Sequence, residues 1–254
     1  MKIRLMYSLF IAMTLLIISS LGHAADPKYQ AGVHYQEIES LAAGRPGRVE
    51  VVEAFSYLCT HCATFEPYVQ SWKKRKPENV DFVRYPVVFG RGTWELYARA
   101  YVTAEVMGIA DEAHTSLMDK IWKERAVLKT MEELADFYAA FGAVPNEFVA
   151  TSKSFAVDAK MRRDQRFLME AGVNGTPSLV VNGKYLVAGN AAVANYDQML
   201  AVVDYLVAKE SSSAATVTAE VKTENSIEAA VEAKEAADAA AAEVSAAAET
   251  IDES

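Results

Sequence analysis

The sequence has little cysteine and no excess of basic residues. Only two of its 254 residues are cysteine, too few for a network of disulfides or, without further ligands, a four-ligand zinc site. Basic residues are outnumbered by acidic ones, 25 to 34, which gives a net charge of −9. This balance argues against a nucleic-acid-binding protein, because contact with the phosphate backbone requires an excess of Lys and Arg. The 52% apolar residues suit a globular protein.

The first 24 residues have the composition of a secretory signal. Lys2 and Arg4 precede an apolar run over residues 5–18, and small residues follow as far as Ala24. The run is shorter than the roughly 18–20 apolar residues that a membrane-spanning helix needs. We therefore expect cleavage after Ala24 and export of the mature protein. The alternative is an uncleaved membrane anchor.

Residues 211–254 differ in composition from the rest of the chain. They contain 15 Ala, ten Glu or Asp and two Lys, with no Gly, Pro or aromatic residue. Because so few apolar side chains are present, this segment has no face to bury, and we expect a disordered acidic tail. A tail that binds a partner is the alternative. Most of the net negative charge lies in this tail, so the rest of the chain is close to neutral.

The pattern between these ends is typical of an α/β protein. Apolar, β-branched runs predict buried strands at residues 48–55 and 80–89, the second ending near Pro86. A helix is predicted between them, from Cys59 to about Arg75, with one buried face.

Amphipathic helices are predicted over most of residues 93–171, with breaks at Gly108, Gly142 and Pro145. A hairpin that turns at Asn182-Gly183 follows, and a last helix covers residues 195–208.

The two groups of predicted strands must share one sheet, because neither group can bury itself alone. We therefore predict one domain formed by residues 25–90 and 170–210. The helices of residues 91–169 would be an insertion into it.

The segment Cys59-Thr60-His61-Cys62 follows the first predicted strand directly and opens a helix. Free backbone N–H groups and the positive helix end at this place favour the Cys59 thiolate, the form that attacks disulfides. His61 can carry a positive charge and would stabilise that thiolate further, which makes the disulfide a stronger oxidant. Cys62 lies one turn along and can close a small ring with Cys59. The motif therefore predicts thiol–disulfide chemistry.

Three other interpretations of the cysteine pair are less favourable. A structural disulfide between residues so close in sequence constrains the unfolded chain very little. A metal site would need two more ligands, and the histidines of the mature chain are His34, His61 and His114. Two inert thiols would be oxidised in the compartment to which the signal directs the chain. We therefore expect neither a metal nor another cofactor.

Taken together, these motifs resemble the DsbA family of periplasmic thiol:disulfide oxidoreductases, in the thioredoxin superfamily. The resemblance covers residues 29–208. It rests on Val52-Glu53-Ala54-Phe55-Ser56-Tyr57 before the cysteines, on the helical insertion, and on Gly175-Thr176-Pro177 before the hairpin. It implies a thioredoxin-like α/β fold with an inserted all-helical domain, and a periplasmic location.

The resemblance also implies the roles of the residues near the cysteines. Cys59 would be the exposed nucleophile and Cys62 the buried resolving thiol, with His61 stabilising the thiolate. Pro177 would be a cis-proline that faces the disulfide. The backbone of Thr176 would then lie beside the sulfurs, where a bound peptide could pair with it as an added strand.

Two residues next to the sulfurs differ from the commoner family pattern. Thr60 stands where Pro is frequent, and Thr176 stands where Val is frequent. Both would tune the stability of the thiolate and hence the strength of the oxidant.

Glu53 is a further candidate, because strand alternation places it on the inner face with Val51 and Phe55. Burial favours the neutral form of a carboxyl group, which could relay the proton of Cys62 during exchange. The resemblance supports this role and suggests Arg84, on the next strand, as its basic partner. The alternative is a structural Glu53–Arg84 pair without kinetic effect.

The expected function is that of an enzyme that introduces disulfide bonds into exported proteins by donating the Cys59–Cys62 disulfide. Its partners would be unfolded or newly exported proteins that contain cysteine. The family implies a membrane protein of the DsbB type that reoxidises it, and we expect a monomer. The alternatives are a disulfide isomerase or reductase of the same fold, and a periplasmic peptide-binding or chaperone protein with incidental cysteines.

Overall fold

A computed structural model of the protein describes residues 28–41, 44–45 and 47–212. The predicted signal and all but two residues of the predicted tail lie outside this part of the chain. The chain divides into two units after Gln30, and the fold described below belongs to the second. Among the described residues, no helix has the length and apolar character needed to cross a membrane.

A mixed sheet of five strands forms the centre of the described fold. The strands are β1 (Gln36–Glu37), β2 (Val49–Phe55), β3 (Val80–Pro86), β4 (Ser178–Val181) and β5 (Tyr185–Ala188). Their order is β1-β5-β4-β2-β3, in which β2 and β3 are parallel and the other neighbours are antiparallel. Strands from both ends of the domain therefore share one sheet, as the sequence predicted.

Helix α1 connects the parallel strands, and the next five helices separate β3 from β4. They are α1 (Thr60–Arg75), α2 (Gly92–Val106), α3 (Ala110–Trp122), α4 (Met131–Tyr138), α5 (Pro145–Ser152) and α6 (Phe155–Glu170). A 3₁₀ turn, Ala139–Phe141, continues α4. The last helix of the described part of the chain, α7, covers residues 196–212. The helices from α2 to α6 are the insertion that the pattern of elements predicted.

Helix α5 was not predicted, because Pro145 was interpreted as part of a break between helices. Pro145 is instead the first residue of α5. This position suits proline, since the first N–H groups of a helix have no partner within the helix. The fully buried side chain of Phe148 fixes this short helix to the core.

Helix α7 also extends past its predicted end at residue 208, into the first two residues assigned to the tail. The reason is Glu210, which is 5% exposed although it is charged. Its carboxylate accepts hydrogen bonds from Lys184 Nζ at 2.7 Å and from the Tyr185 hydroxyl at 3.0 Å. The end of α7 is therefore held against the β4–β5 hairpin.

The core lies on both sides of β2, whose residues from Val51 to Phe55 are at most 1% exposed. On α1, the apolar face predicted from spacing is buried, as the exposures of Phe65, Val69 and Trp72 show. At the hairpin, Asn182 and Gly183 have φ of 51° and 64°, as in the type I′ turn expected from these two residues. The main predicted elements are therefore present.

Candidate active site

The pairing of β4 with β2 brings two distant segments together at one end of the sheet. Ala54 pairs with Ser178, so the loop before Ser178 lies opposite the turn that follows β2. That turn contains Cys59, whose backbone N–H donates to the carbonyl oxygen of Ser56 at 3.1 Å. The thiol of Cys59 donates to the carbonyl oxygen of Thr176 at 3.4 Å.

Both cysteines are free thiols, and they lie on the first turn of α1. Cys59 occupies the N-cap position, and the Thr176–Pro177 peptide bond is cis, as the resemblance implied. One expectation was wrong: Cys59 is only 9% exposed, because the Thr176 segment packs against it. It is still the more accessible of the pair, since Cys62 is 1% exposed.

The environment of Cys59 stabilises a thiolate. Hydrogen bonding from the Cys62 thiol is the largest influence and lowers the pKa of Cys59. Burial opposes this effect, whereas the Thr176 side chain and the backbone N–H groups of Cys62 and His61 add to it. The result is a pKa of about 5. Cys59 is therefore ionised at neutral pH.

The environment of Cys62 has the opposite effect. Burial raises the pKa of Cys62 well above its ordinary value, and the neighbouring sulfur of Cys59 raises it further. The negative charge of Glu53 acts in the same direction, which places that carboxylate within electrostatic reach of the thiol. At neutral pH the reduced pair therefore consists of one thiolate and one thiol.

Glu53 lies inside the protein and forms the predicted ion pair with Arg84. Arg84 Nε donates to Glu53 Oε2 at 2.8 Å, and both side chains are at most 2% exposed. Burial raises the pKa of Glu53 to about 7, against the charge of Arg84. A carboxyl group with this pKa can gain or lose a proton near neutral pH.

The structure adds Glu66, which sequence reasoning missed. Arg84 Nη2 donates to Glu66 Oε2 at 3.1 Å, so one guanidinium group links two buried carboxylates. Burial opposes the ionisation of Glu66, but the nearby His114 ring, the charge of Arg84 and a hydrogen bond from Gln70 lower its pKa. The available signal was spacing, because Glu66 follows Cys62 by four residues and therefore lies on the same helix face.

His114, on α3, is the second missed residue of this buried cluster. Its Nδ1 lies 3.1 Å from the Tyr57 hydroxyl, and its Nε2 lies 3.4 Å from Glu66 Oε2. Burial lowers the pKa of His114 to about 4, with a further contribution from Arg84, so its imidazole is neutral at pH 7. Within the described part of the chain, no group of His, Cys, Asp and Glu side chains is arranged to hold a metal ion.

His61 is exposed at the start of α1. Its backbone N–H helps to lower the pKa of Cys59 by hydrogen bonding to the sulfur. Its imidazole Nδ1 lies 3.5 Å from the hydroxyl of Tyr196, on α7. A role of the imidazole in stabilising the thiolate stays a prediction. Thr60 is also exposed, and its carbonyl oxygen accepts a hydrogen bond from the Thr64 hydroxyl at 3.0 Å.

Comparison with known proteins gives consistent results. Residues 50–201 match the family model described as a DSBA-like thioredoxin domain. The thiol:disulfide interchange protein DsbA of Pseudomonas aeruginosa is 37% identical over 211 residues, which cover 82% of this chain and 99% of that protein. The protein of the same name from Azotobacter vinelandii is 36% identical over 183 residues, covering 72% of this chain and 85% of that protein.

Solved structures of similar proteins have the same fold. The crystal structure of Pseudomonas aeruginosa DsbA has a TM-score of 0.68 at 37% identity, covering 74% of this chain and 98% of that one. The oxidoreductase DsbA from Xylella fastidiosa has a TM-score of 0.67 at 37% identity, covering 72% of this chain and 97% of that one. The fold is therefore thioredoxin-like with inserted helices, and the chain belongs to the DsbA family of thiol:disulfide oxidoreductases.

Proposed function

We propose that this protein introduces disulfide bonds into exported proteins by donating a disulfide formed between Cys59 and Cys62. The observation that carries the proposal is the opposite environment of the two sulfurs at the start of α1. Groups that stabilise the Cys59 thiolate stabilise the reduced enzyme. They therefore make the disulfide form an oxidant.

In the first step, a substrate thiolate attacks Cys59 Sγ of the enzyme disulfide. The S–S bond breaks, and its electron pair goes to Cys62 Sγ, which takes up a proton because burial disfavours its charged form. Glu53 is the proposed source of that proton, since its pKa is about 7 and its charge acts on Cys62. The product is a mixed disulfide between the substrate and Cys59.

In the second step, another substrate thiolate attacks the substrate sulfur of the mixed disulfide. Cys59 leaves as a thiolate, which is a good leaving group because its pKa is about 5. The substrate has then lost two electrons and gained a disulfide, and the enzyme holds a dithiol. A membrane partner of the DsbB type is the proposed acceptor of these electrons.

The loop before β4 is the proposed contact for the substrate backbone. The Thr176 carbonyl oxygen lies 3.4 Å from Cys59 Sγ, so a peptide strand paired beside it would bring its own cysteine next to Cys59. Pro177 would shape this loop. We further propose that the protein acts in the periplasm as a monomer, after removal of residues 1–24.

The test follows the oxidised protein as it reacts with a reduced peptide that contains two cysteines. Cys59→Ser should abolish peptide oxidation. Cys62→Ser has no disulfide to donate, so it is given the peptide in its disulfide form: the Cys59 thiolate should attack that bond, the other peptide sulfur should leave as a thiol, and the mixed disulfide should be visible by mass spectrometry after acid quenching. Peptide binding without any oxidation by the wild-type protein would instead indicate a binding or chaperone function. A redox equilibrium with glutathione close to the thioredoxin potential, about −270 mV, would indicate a reductase.

A further inference from the structure

The hydroxyl of Tyr196 contacts two atoms of His61. It donates to the carbonyl oxygen of His61 at 3.1 Å, and it lies 3.5 Å from the imidazole Nδ1. The contact joins α7 to the first turn of α1, between the two cysteines of the motif. No sequence pattern pointed to Tyr196.

The hydrogen-bonding capacity of a phenol determines the state of the imidazole. A tyrosine hydroxyl has one proton, and here that proton goes to the carbonyl oxygen of His61. Towards Nδ1 the same oxygen can therefore only accept. A hydrogen bond between this oxygen and Nδ1 therefore needs a hydrogen on Nδ1, which is present in the imidazolium ion and in one of the two neutral tautomers.

Tyr196 is held in this position by aromatic contacts with α1. Its ring centroid lies 5.0 Å from that of Phe65 and 5.4 Å from that of Tyr68. Burial raises the pKa of Tyr196, and the negative charge of Cys62 or Cys59 in its ionised form raises it further, so the hydroxyl stays protonated at neutral pH. The contact with His61 places Tyr196 next to the segment that carries the two cysteines.

We propose that Tyr196 is a positioning residue for thiol–disulfide exchange, which keeps Nδ1 of His61 protonated and residue 61 fixed beside Cys59. Fixing this residue affects the thiolate through two groups. Its backbone N–H lowers the pKa of Cys59 by hydrogen bonding to the sulfur. Its imidazole, when Nδ1 and Nε2 both carry a hydrogen, has a positive charge that attracts the thiolate. Tyr196 therefore stabilises the reduced enzyme and strengthens the oxidant. This inference rests on the proposed function.

The test uses Tyr196→Phe, which keeps the ring and removes only the hydroxyl. We expect the equilibrium constant for oxidation of glutathione by the enzyme to fall about threefold, as for the loss of one modest hydrogen bond. The pKa of Cys59, measured by thiolate absorbance, should rise by about 0.5. Tyr68→Phe is the matched control, because it removes a hydroxyl from the same aromatic group, and it should leave both quantities unchanged.

Two further measurements separate the proposed role from a general structural effect. Nitrogen chemical shifts of His61 should show a protonated Nδ1 in the wild type and a mixture of tautomers in Tyr196→Phe. In a His61→Ala background, Tyr196→Phe should change the glutathione equilibrium less, because the ring is absent and only the contact with the backbone carbonyl remains.

The outcomes also distinguish this inference from the proposed function. A wild-type protein that does not oxidise dithiols contradicts the proposed function, whatever Tyr196 does. If the wild type oxidises dithiols but Tyr196→Phe changes neither the glutathione equilibrium nor the His61 spectrum, the positioning role is wrong. An equal effect of Tyr196→Phe with and without the His61 ring would also overturn it.

Discussion

Cys59 and Cys62 belong to the same turn of one helix, yet their surroundings shift the pKa values of the two thiols in opposite directions. Cys59 lies at the N-cap of α1, where Cys62, Thr176 and backbone N–H groups stabilise its negative charge. Cys62 is buried and interacts electrostatically with Glu53, which belongs to a group of buried ionisable side chains, here called the buried charge cluster: Glu53, Glu66, Arg84 and His114. Burial is the largest influence on the pKa of Cys62, and it favours the thiol.

This difference shows that the helix end and the interior influence different properties of the cysteine pair. The helix end sets how stable the reduced enzyme is, because it determines the thiolate at Cys59. The interior determines the protonation of the other sulfur, which must gain and lose a proton as the disulfide opens and closes. Substitutions can be made in the interior or near the helix end separately.

The largest expected effect comes from removing the central cation of the buried charge cluster. Arg84→Met leaves Glu53 and Glu66 without their buried partner, which should cost about 3–5 kcal/mol of unfolding free energy. Urea denaturation of the reduced protein measures this loss.

The matched control for this substitution is Arg75→Met, which breaks an exposed pair with Asp204 and should cost less than about 1 kcal/mol. Equal costs for the two substitutions would show that the buried charge cluster contributes little to stability.

The second prediction concerns pH. Because the pKa of Cys59 is lowered to about 5, reduction of the enzyme by glutathione releases one proton above that pH. The apparent equilibrium constant for this reaction should therefore rise about tenfold per pH unit from about 5 to about 8, where glutathione begins to ionise. Glutathione titrations at several pH values test this, and a constant that does not change across the range would contradict a Cys59 thiolate.

The same linkage affects stability. A thiol whose pKa is lowered by folding adds stability that is full above its unfolded pKa and is lost as the pH falls through about 5. The reduced protein should therefore gain stability relative to the oxidised protein as the pH rises from about 5 towards 9.

The third prediction tests whether the interior supplies a proton. Glu53→Gln keeps the shape of the side chain but cannot exchange a proton, so exchange should slow by at least about tenfold and lose the pH dependence centred near 7. Stopped-flow reaction of the oxidised protein with a dithiol measures this rate. Glu50→Gln, on the same strand, is the control and should leave the rate unchanged. If Glu53→Gln also leaves the rate unchanged, the proton relay is wrong and the Glu53–Arg84 pair is structural.

The smallest predicted effect concerns the loop that faces Cys59. Thr176→Val removes a side-chain hydrogen bond that lowers the pKa of Cys59, so this pKa should rise by about 0.5–1. Thiolate absorbance measures the change. Thr64→Val removes a nearby hydroxyl that bonds to the carbonyl of Thr60, and it should have no such effect. A lower pKa in Thr176→Val would contradict the assigned role.

Local patterns predicted most of the fold because strands and amphipathic helices repeat at short, regular intervals. The continuous apolar run of β2 and the Asn182-Gly183 turn are examples. Helix α5 was missed because it has only eight residues and begins at a proline. The end of α7 was placed too early because the partners of Glu210 lie on another element.

The active site was predictable to the extent that its residues are neighbours in sequence or on adjacent strands. Cys59 and Cys62 share one motif, and Glu53 and Arg84 occupy matching positions of β2 and β3. Among the predicted residues, only Thr176 and Pro177 are distant in sequence, and the resemblance to a known family supplied them.

The sequence by itself determined β2, β3 and the hairpin strands, the helix that carries the cysteines and the kind of chemistry they perform. These properties depend on residue type and on spacing within a few turns. The tertiary structure decided that Glu66 and His114 join Glu53 and Arg84 in one buried cluster, and that a tyrosine of α7 contacts His61. Those contacts join α1, α3, α7 and β3, and their distances exist only after the elements have packed around one core.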